Sequence, residues 1–169
     1  MPLAIAAPTP ISSLVHSSTL VTAGVYLLIR VRIVKINQDF IIELILVICL
    51  LTMFISRTCA YMEIDIKKII AYSTMSQLRL IFISVFIGDE LIGFYHILTH
   101  ALFKSLLFLC SGVFIHENLD NQDVRRFRFI LKVDYLTIRF FIVCSLSLMG
   151  FPFLRGFYSK DLILEYIYT

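Results

Sequence analysis

Long apolar runs recur along this chain, and charged residues fall mostly in the short breaks between them. Runs of about 20 apolar residues are the length a helix needs to cross a bilayer. The pattern predicts five spans, over about residues 11–29, 40–56, 66–87, 91–116 and 138–157, and a single membrane domain over 1–169. The fold class expected is all-α, a polytopic transmembrane helix bundle. Pro2, Pro8 and Pro10 oppose helix at the amino end. Near the other end, Gly150, Pro152 and Gly156 predict that the last span is broken near Pro152.

Several polar positions interrupt the apolar runs. The first span carries Ser12, Ser13, His16, Ser17, Ser18, Thr19 and Thr22, hydroxyls that can bond back to their own backbone or across to a neighbouring helix. Glu43 falls at the start of the second span and reads as interfacial. A loop with Arg57, Glu63, Asp65, Lys67 and Lys68 follows, Asp65 being placed to cap the third helix. Ser73, Ser76 and Gln77 form a polar stripe on that helix, expected to pack against another helix. Asp89 and Glu90 suit a tight turn, and residues 117–139 a short surface helix or loop.

The fourth span holds the most informative residues. His96, His100 and Lys104 follow i, i+4, i+8, which stacks them on one side of a helix. At 1.5 Å per residue Lys104 lies roughly 18–20 Å from either end. Lysines near helix ends extend their ammonium to the headgroups, and from mid-span this one cannot. Lys160, after the predicted break, is a second such lysine.

Composition agrees with the pattern. The 169 residues are 59% hydrophobic and 16% charged, against about 25% charged in ordinary soluble domains. The net charge of +3 is distributed for topology and argues against nucleic acid as a partner. Arg30, Arg32 and Lys35 follow the first span. Arg57, Lys67, Lys68, Arg125, Arg126, Arg128, Lys132 and Arg139 mark the opposite, cytoplasm-equivalent side. Cys49, Cys59, Cys110 and Cys144 lie far apart with no metal or disulfide spacing. No phosphate loop, nucleophile motif, haem or flavin signature is present. The chain therefore carries no metal site, cofactor or catalytic residue of its own by this reading. The amino end lacks a signal-peptide pattern, and the carboxyl end stops in a pattern that continues as helix.

Three uses of His96, His100 and Lys104 compete: a structural network, a metal or ligand site, and a proton path. A protonated lysine beside two histidines repels cations, which weakens the second. A desolvated ammonium releases its proton more readily than one in water, and histidine titrates near neutrality. Ionisable groups inside a membrane are functional by default, which favours the proton path.

Four stretches carry a resemblance over nearly the whole chain. They are Ala6 to Leu27 with Pro8-Thr9-Pro10 and His16-Ser17-Ser18-Thr19, Asp65 to Leu78 with Asp65-Ile66-Lys67-Lys68, His96 to Gly112, and Gly156-Phe157-Tyr158-Ser159-Lys160-Asp161. Together they resemble the antiporter-like proton-translocating subunits of mitochondrial NADH:ubiquinone oxidoreductase (respiratory complex I), subunit 5 above its paralogues 2 and 4. The resemblance implies part of an antiporter-like fold in the mitochondrial inner membrane. It implies a proton path through His16, His96, His100, Lys104 and Lys160, with Lys104 as central relay and Lys160 passing protons to the outlet. The lysine–glutamate pair that feeds the relay in that family lies outside these residues. It further implies that NADH, FMN, iron–sulfur clusters and ubiquinone are bound by other complex I subunits. The partners would be those membrane subunits, subunit 4 especially, and the lipid bilayer. A related bacterial cation/proton antiporter, or a membrane scaffold with no ion path, are the alternative readings. Two residues depart from the family pattern, Arg79 and Arg155, where small residues are usual. An arginine at mid-span costs about 2.5–3.5 kcal/mol. Translation of AGA or AGG codons that many invertebrate mitochondria read as serine would account for both, and CGN codons there would contradict it.

Overall fold

The computed structural model describes residues 11, 15, 19–32, 39–87, 90–127 and 134–168. They form helices α1 (Leu20–Arg32), α2 (Asp39–Met62), α3 (Ile66–Ile87), α4 (Glu90–Glu117), α5 (Tyr135–Met149) and α6 (Arg155–Tyr168), with a 3-10 turn at Val124–Arg126. Among the described residues there is no strand, and the isolated backbone bridge is Asp65 with Asp123. α2, α3 and α4 are long and apolar enough to cross a membrane, and α1 and α5 are shorter apolar helices. α4, at 28 residues, would span about 42 Å.

α4 is the hub of the bundle and packs against α1, α3, α5 and α6. Two apolar clusters hold it. One gathers Val25, Ile29, Leu78, Ile81, Val85 and Ile97 between α1, α3 and α4. The other gathers Ile66, Ile70, Leu107, Phe108, Ile115 and Cys144 between α3, α4 and α5. α2 packs chiefly on α3 and leaves Phe40, Leu44, Val47, Leu51 and Phe54 exposed, as suits a helix facing lipid or further membrane helices. Where α3 and α4 cross, Gly93 sits so close to α3 that an added Cβ would lie 2.9 Å from both Ser84 Oγ and Val85 Cγ2. Those are side-chain atoms that can shift. Gly93→Ala is therefore expected to cost about 1 kcal/mol and Gly93→Val about 1–3 kcal/mol, read as a lowered unfolding temperature in detergent.

The end of α2 and the start of α5 differ from the sequence pattern. The second helix does not stop near Ser56; it runs on to Met62, so Arg57 stands on the helix and the connection shrinks to residues 63–65. No glycine or proline interrupts that turn, and Thr58 returns its hydroxyl to the Ile55 carbonyl at 2.9 Å. Arg57 is exposed, so its long stem does not oppose the extension. α5 starts at Tyr135, earlier than Ile138, because Asp134 already supplies the carbonyl for Thr137 and Ile138.

The last span is two helices. Gly150 has φ +88° and ψ 40°, and its N–H reaches the Leu146 and Ser147 carbonyls. Phe151 N–H also bonds the Leu146 carbonyl, at 3.1 Å, which closes α5 with a left-handed glycine cap. Phe153, φ +70°, completes the break before α6 starts at Arg155. Gly156 is not part of the break. It lies in the first turn of α6, against the backbone of α5.

At one end of the bundle the short α2–α3 connection is tied to the segment after α4. Ile66 N–H bonds the Gln122 carbonyl at 3.2 Å and Val124 N–H bonds the Ile64 carbonyl at 3.1 Å. Asp65 gives its carbonyl to Ile69 N–H at 3.0 Å and its carboxylate to Lys68 at 2.7 Å.

Candidate functional site

His96, His100 and Lys104 are each 2% exposed on α4. α3 runs antiparallel beside them, and it too carries polar residues at i, i+4: Ser73 and Gln77. Equal spacing on two antiparallel helices lets the stripes face each other. Lys104 Nζ donates to Ser73 Oγ at 2.5 Å and to the Ile70 carbonyl at 3.4 Å. Ser73 donates its own hydrogen to the same Ile70 carbonyl at 2.7 Å, so its oxygen is free to accept from the ammonium. At the other end of the line, His96 Nε2 lies 3.3 Å from Gln77 Oε1 and His96 Nδ1 lies 2.9 Å from Ser159 Oγ on α6.

The donor inventory assigns the ring of His96. An amide oxygen only accepts, so Nε2 carries hydrogen. In the neutral ring Nδ1 is then the acceptor, and the Ser159 hydroxyl donates to it.

His100 stands between these two. Its ring centroid is 6.3 Å from that of His96, and among the described residues neither of its nitrogens has a hydrogen-bond partner. A buried polar group left in that state costs about 1–3 kcal/mol. The polar layer is closed in depth by the two apolar clusters, one on α3 from Leu78 onward and the other around Ile66, Ile70, Leu107 and Phe108.

Lys160 joins the layer from α6. It lies within electrostatic reach of His96, His100 and Lys104, and its ammonium donates to the Leu148 carbonyl near the end of α5. A helix C-terminus carries partial negative charge and unsatisfied carbonyls, so it suits a cation. The broken span thus places Lys160, while the unbroken α4 places the other three. His16 lies outside the described residues. The ion pairs found among the described residues, Lys68 with Glu63 and Asp65, and Arg126 with Asp123, lie near the helix ends; none involves Lys104 or Lys160. No group of three or more His, Cys, Asp or Glu side chains among the described residues is placed to hold a metal ion.

Three members of this layer escape the sequence reading. Ser73 and Gln77 read there as a packing stripe, and Ser159 carries no role. The spacing of 73 and 77 does match that of 96, 100 and 104, which is the signal that links them. Arg79 and Arg155 stand apart from the line. Arg79 is half-buried with its guanidinium 5.6 Å from the Phe82 ring centre, and Arg155 is exposed at the start of α6.

Comparison with known proteins places the chain. Residues 1–169 match the family described as NADH:quinone oxidoreductase/Mrp antiporter, TM. The chain belongs to this family. It is 54% identical over 167 residues to NADH-ubiquinone oxidoreductase chain 5 of Locusta migratoria, covering 99% of this chain and 29% of that one. With the chain 5 of Anopheles arabiensis the identity is 52% over 167 residues, 99% of this chain and 43% of the relative. With that of Mus musculus it is 46% over 169 residues, 100% of this chain and 28% of the relative. The chain therefore spans between about a quarter and a half of the length of the relatives it matches. The helical transmembrane bundle expected from the apolar pattern is the fold of this membrane family.

Proposed function

We propose that this chain supplies part of a proton-translocation path in the membrane arm of NADH:ubiquinone oxidoreductase, in the mitochondrial inner membrane. The observation that carries the reading is the buried line itself: His96, His100 and Lys104 are each 2% exposed on one face of α4, and His100 stands between a histidine and a lysine with neither nitrogen bonded among the described residues. An imidazole can receive a proton at one nitrogen while it releases one at the other, which suits the histidines of this line to pass protons on.

On this reading Lys104 holds a proton against Ser73 and the Ile70 carbonyl, and His100 and His96 carry it along α4. Lys160, held at the end of α5, takes the outlet side, and the family resemblance adds His16 to the path. The chain would be an enzyme subunit with no redox step of its own. NADH, FMN, iron–sulfur clusters and ubiquinone would be held by other subunits, with the antiporter-like subunit 4 as a neighbour in the membrane. Family membership and the names of the relatives support this assignment.

A bacterial-type cation/proton antiporter is the second reading, because the same family spans both. Affinity purification of the native membrane assembly separates them. The expected result is co-purification with NADH-dependent ubiquinone reduction. A purified assembly that exchanges cations for protons without that activity would favour the antiporter.

A further inference from the structure

Ser159 has two acceptors for one hydrogen. Its hydroxyl is 2.9 Å from His96 Nδ1 and 3.3 Å from the carbonyl of Gly156, one turn back on α6. It is fully buried, so no solvent competes for it. We infer that Ser159 is a positioning residue of the proton path: its hydroxyl turns between His96 Nδ1 and the Gly156 carbonyl as His96 gains and loses a proton. The inference rests on the proton-path reading above.

The two states follow from donor and acceptor counts. When His96 is neutral, its Nε2–H bonds Gln77 and its Nδ1 lone pair accepts the Ser159 hydroxyl. With that hydrogen in place, Nδ1 cannot take another proton. When the hydroxyl turns to the Gly156 carbonyl, the Nδ1 lone pair is open. A proton given up there by a neighbouring ionisable group, the Lys160 ammonium or a charged His100, forms an N–H that donates to the Ser159 oxygen; the donor is left neutral and the ring is charged with both nitrogens bonded. Transfer of that proton to a neutral neighbour, His100 or Lys160, lets the hydroxyl turn back. No heavy atom needs to move, and neither state of His96 leaves a buried nitrogen unpaired. A methyl group in place of the hydroxyl would leave Nδ1 unpaired in both.

The groups facing His96 among the described residues fit this role. Its own helix presents His100, α3 presents the neutral Gln77, and α6 presents Lys160 beside Ser159. Ser159 thus ties the charge of a histidine on the unbroken helix to the backbone of the broken one. Gly156 serves twice: its missing side chain admits α6 against α5, and its carbonyl receives the hydroxyl.

The test uses Ser159→Ala and Ser159→Thr in the membrane complex, with Lys104→Met alongside. Assembly is followed on native gels and NADH-driven proton translocation in sealed vesicles across pH. Ser159→Ala is expected to assemble and to lower translocation at least about tenfold, less than the roughly 100-fold or more of a group that transfers the proton itself. Ser159→Thr, which keeps the hydroxyl, is expected to recover most of it with the parent's pH profile. Parent-level translocation in Ser159→Ala overturns the inference. So does equal loss in both variants, because the loss then follows packing and not the hydroxyl. If Ser159→Ala does not assemble, Ser159→Cys replaces it, since a thiol nearly keeps the volume but bonds weakly. Loss then supports the inference and retention overturns it. Should Lys104→Met keep full translocation, the proton-path reading falls and takes this inference with it. If Lys104→Met loses translocation while Ser159→Ala keeps it, only the inference falls.

Discussion

His100→Leu is expected to yield a membrane complex that is at least as stable as the parent and that translocates protons at least about tenfold more slowly. The stability half follows from burial. His100 is 2% exposed, and among the described residues both of its ring nitrogens lack a partner. Removing a buried unsatisfied polar group recovers about 1–3 kcal/mol, and leucine occupies a comparable volume without adding a polar atom. Thermal unfolding in detergent should therefore stay level or rise by a few degrees. The functional half follows from position. His100 links His96, which reaches α6, to Lys104, which reaches α3, and leucine carries no proton. A histidine retained only for structure would give the opposite pair of results, a lowered unfolding temperature with translocation intact wherever the complex assembles.

Gly156→Ala is expected to damage both properties. A Cβ built on Gly156 collides with the carbonyl of Ser147, a backbone atom in the last turn of α5. Side chains can yield by rotating, as Ser84 and Val85 can at Gly93, but a helix backbone yields only by moving the helix. Overpacking of this kind costs about 1–3 kcal/mol even where side chains absorb it. Here α6 must draw away from α5, and two contacts of the polar layer depend on its position: Ser159 with His96 and Lys160 with the Leu148 carbonyl. The expected outcome is a markedly lower unfolding temperature and loss of translocation in whatever assembles. Gly150→Ala serves as the comparison. At φ +88° it costs about 1 kcal/mol in backbone strain, and the Cβ would meet only the flexible Lys160 stem at 3.7 Å. It should be the milder of the two on both measurements.

Legibility in the sequence followed the strength of each signal. A lysine at mid-span is a large departure from apolar composition, so Lys104 and its two histidines stand out from the residue pattern alone. Their burial also follows from spacing, because i, i+4, i+8 places all three on one helix face. Gly150 and Pro152 likewise announce a break through backbone chemistry. Gln77, Ser73 and Ser159 do not stand out, because serine and glutamine in a span serve packing as readily as proton handling. Their part depends on which helix faces α4, and that is decided by tertiary packing. Gly156 was legible as a glycine but not as a contact point, since a break and a close approach call for the same residue. The extension of α2 past Ser56 was hidden by Arg57, whose charge suggests a boundary although its exposed stem permits helix.

The arginines bear on the same balance. Arg79 has a ring to lie against but no acid among the ion pairs found, and Arg155 is exposed. Neither contributes to the layer between the two apolar clusters, so replacing either with serine leaves the line from Lys104 to Lys160 unchanged.

Lys104 is the proposed relay of the buried line that carries protons. Lys104→Met tests it cleanly, because Ser73 keeps its own bond to the Ile70 carbonyl when the ammonium is gone, and methionine nearly fills the space. The deciding quantity is the number of protons moved per NADH oxidised by the assembled complex in sealed vesicles. A lower ratio, or no translocation at all, is expected in Lys104→Met relative to the parent. An unchanged ratio in a normally assembled complex would contradict it.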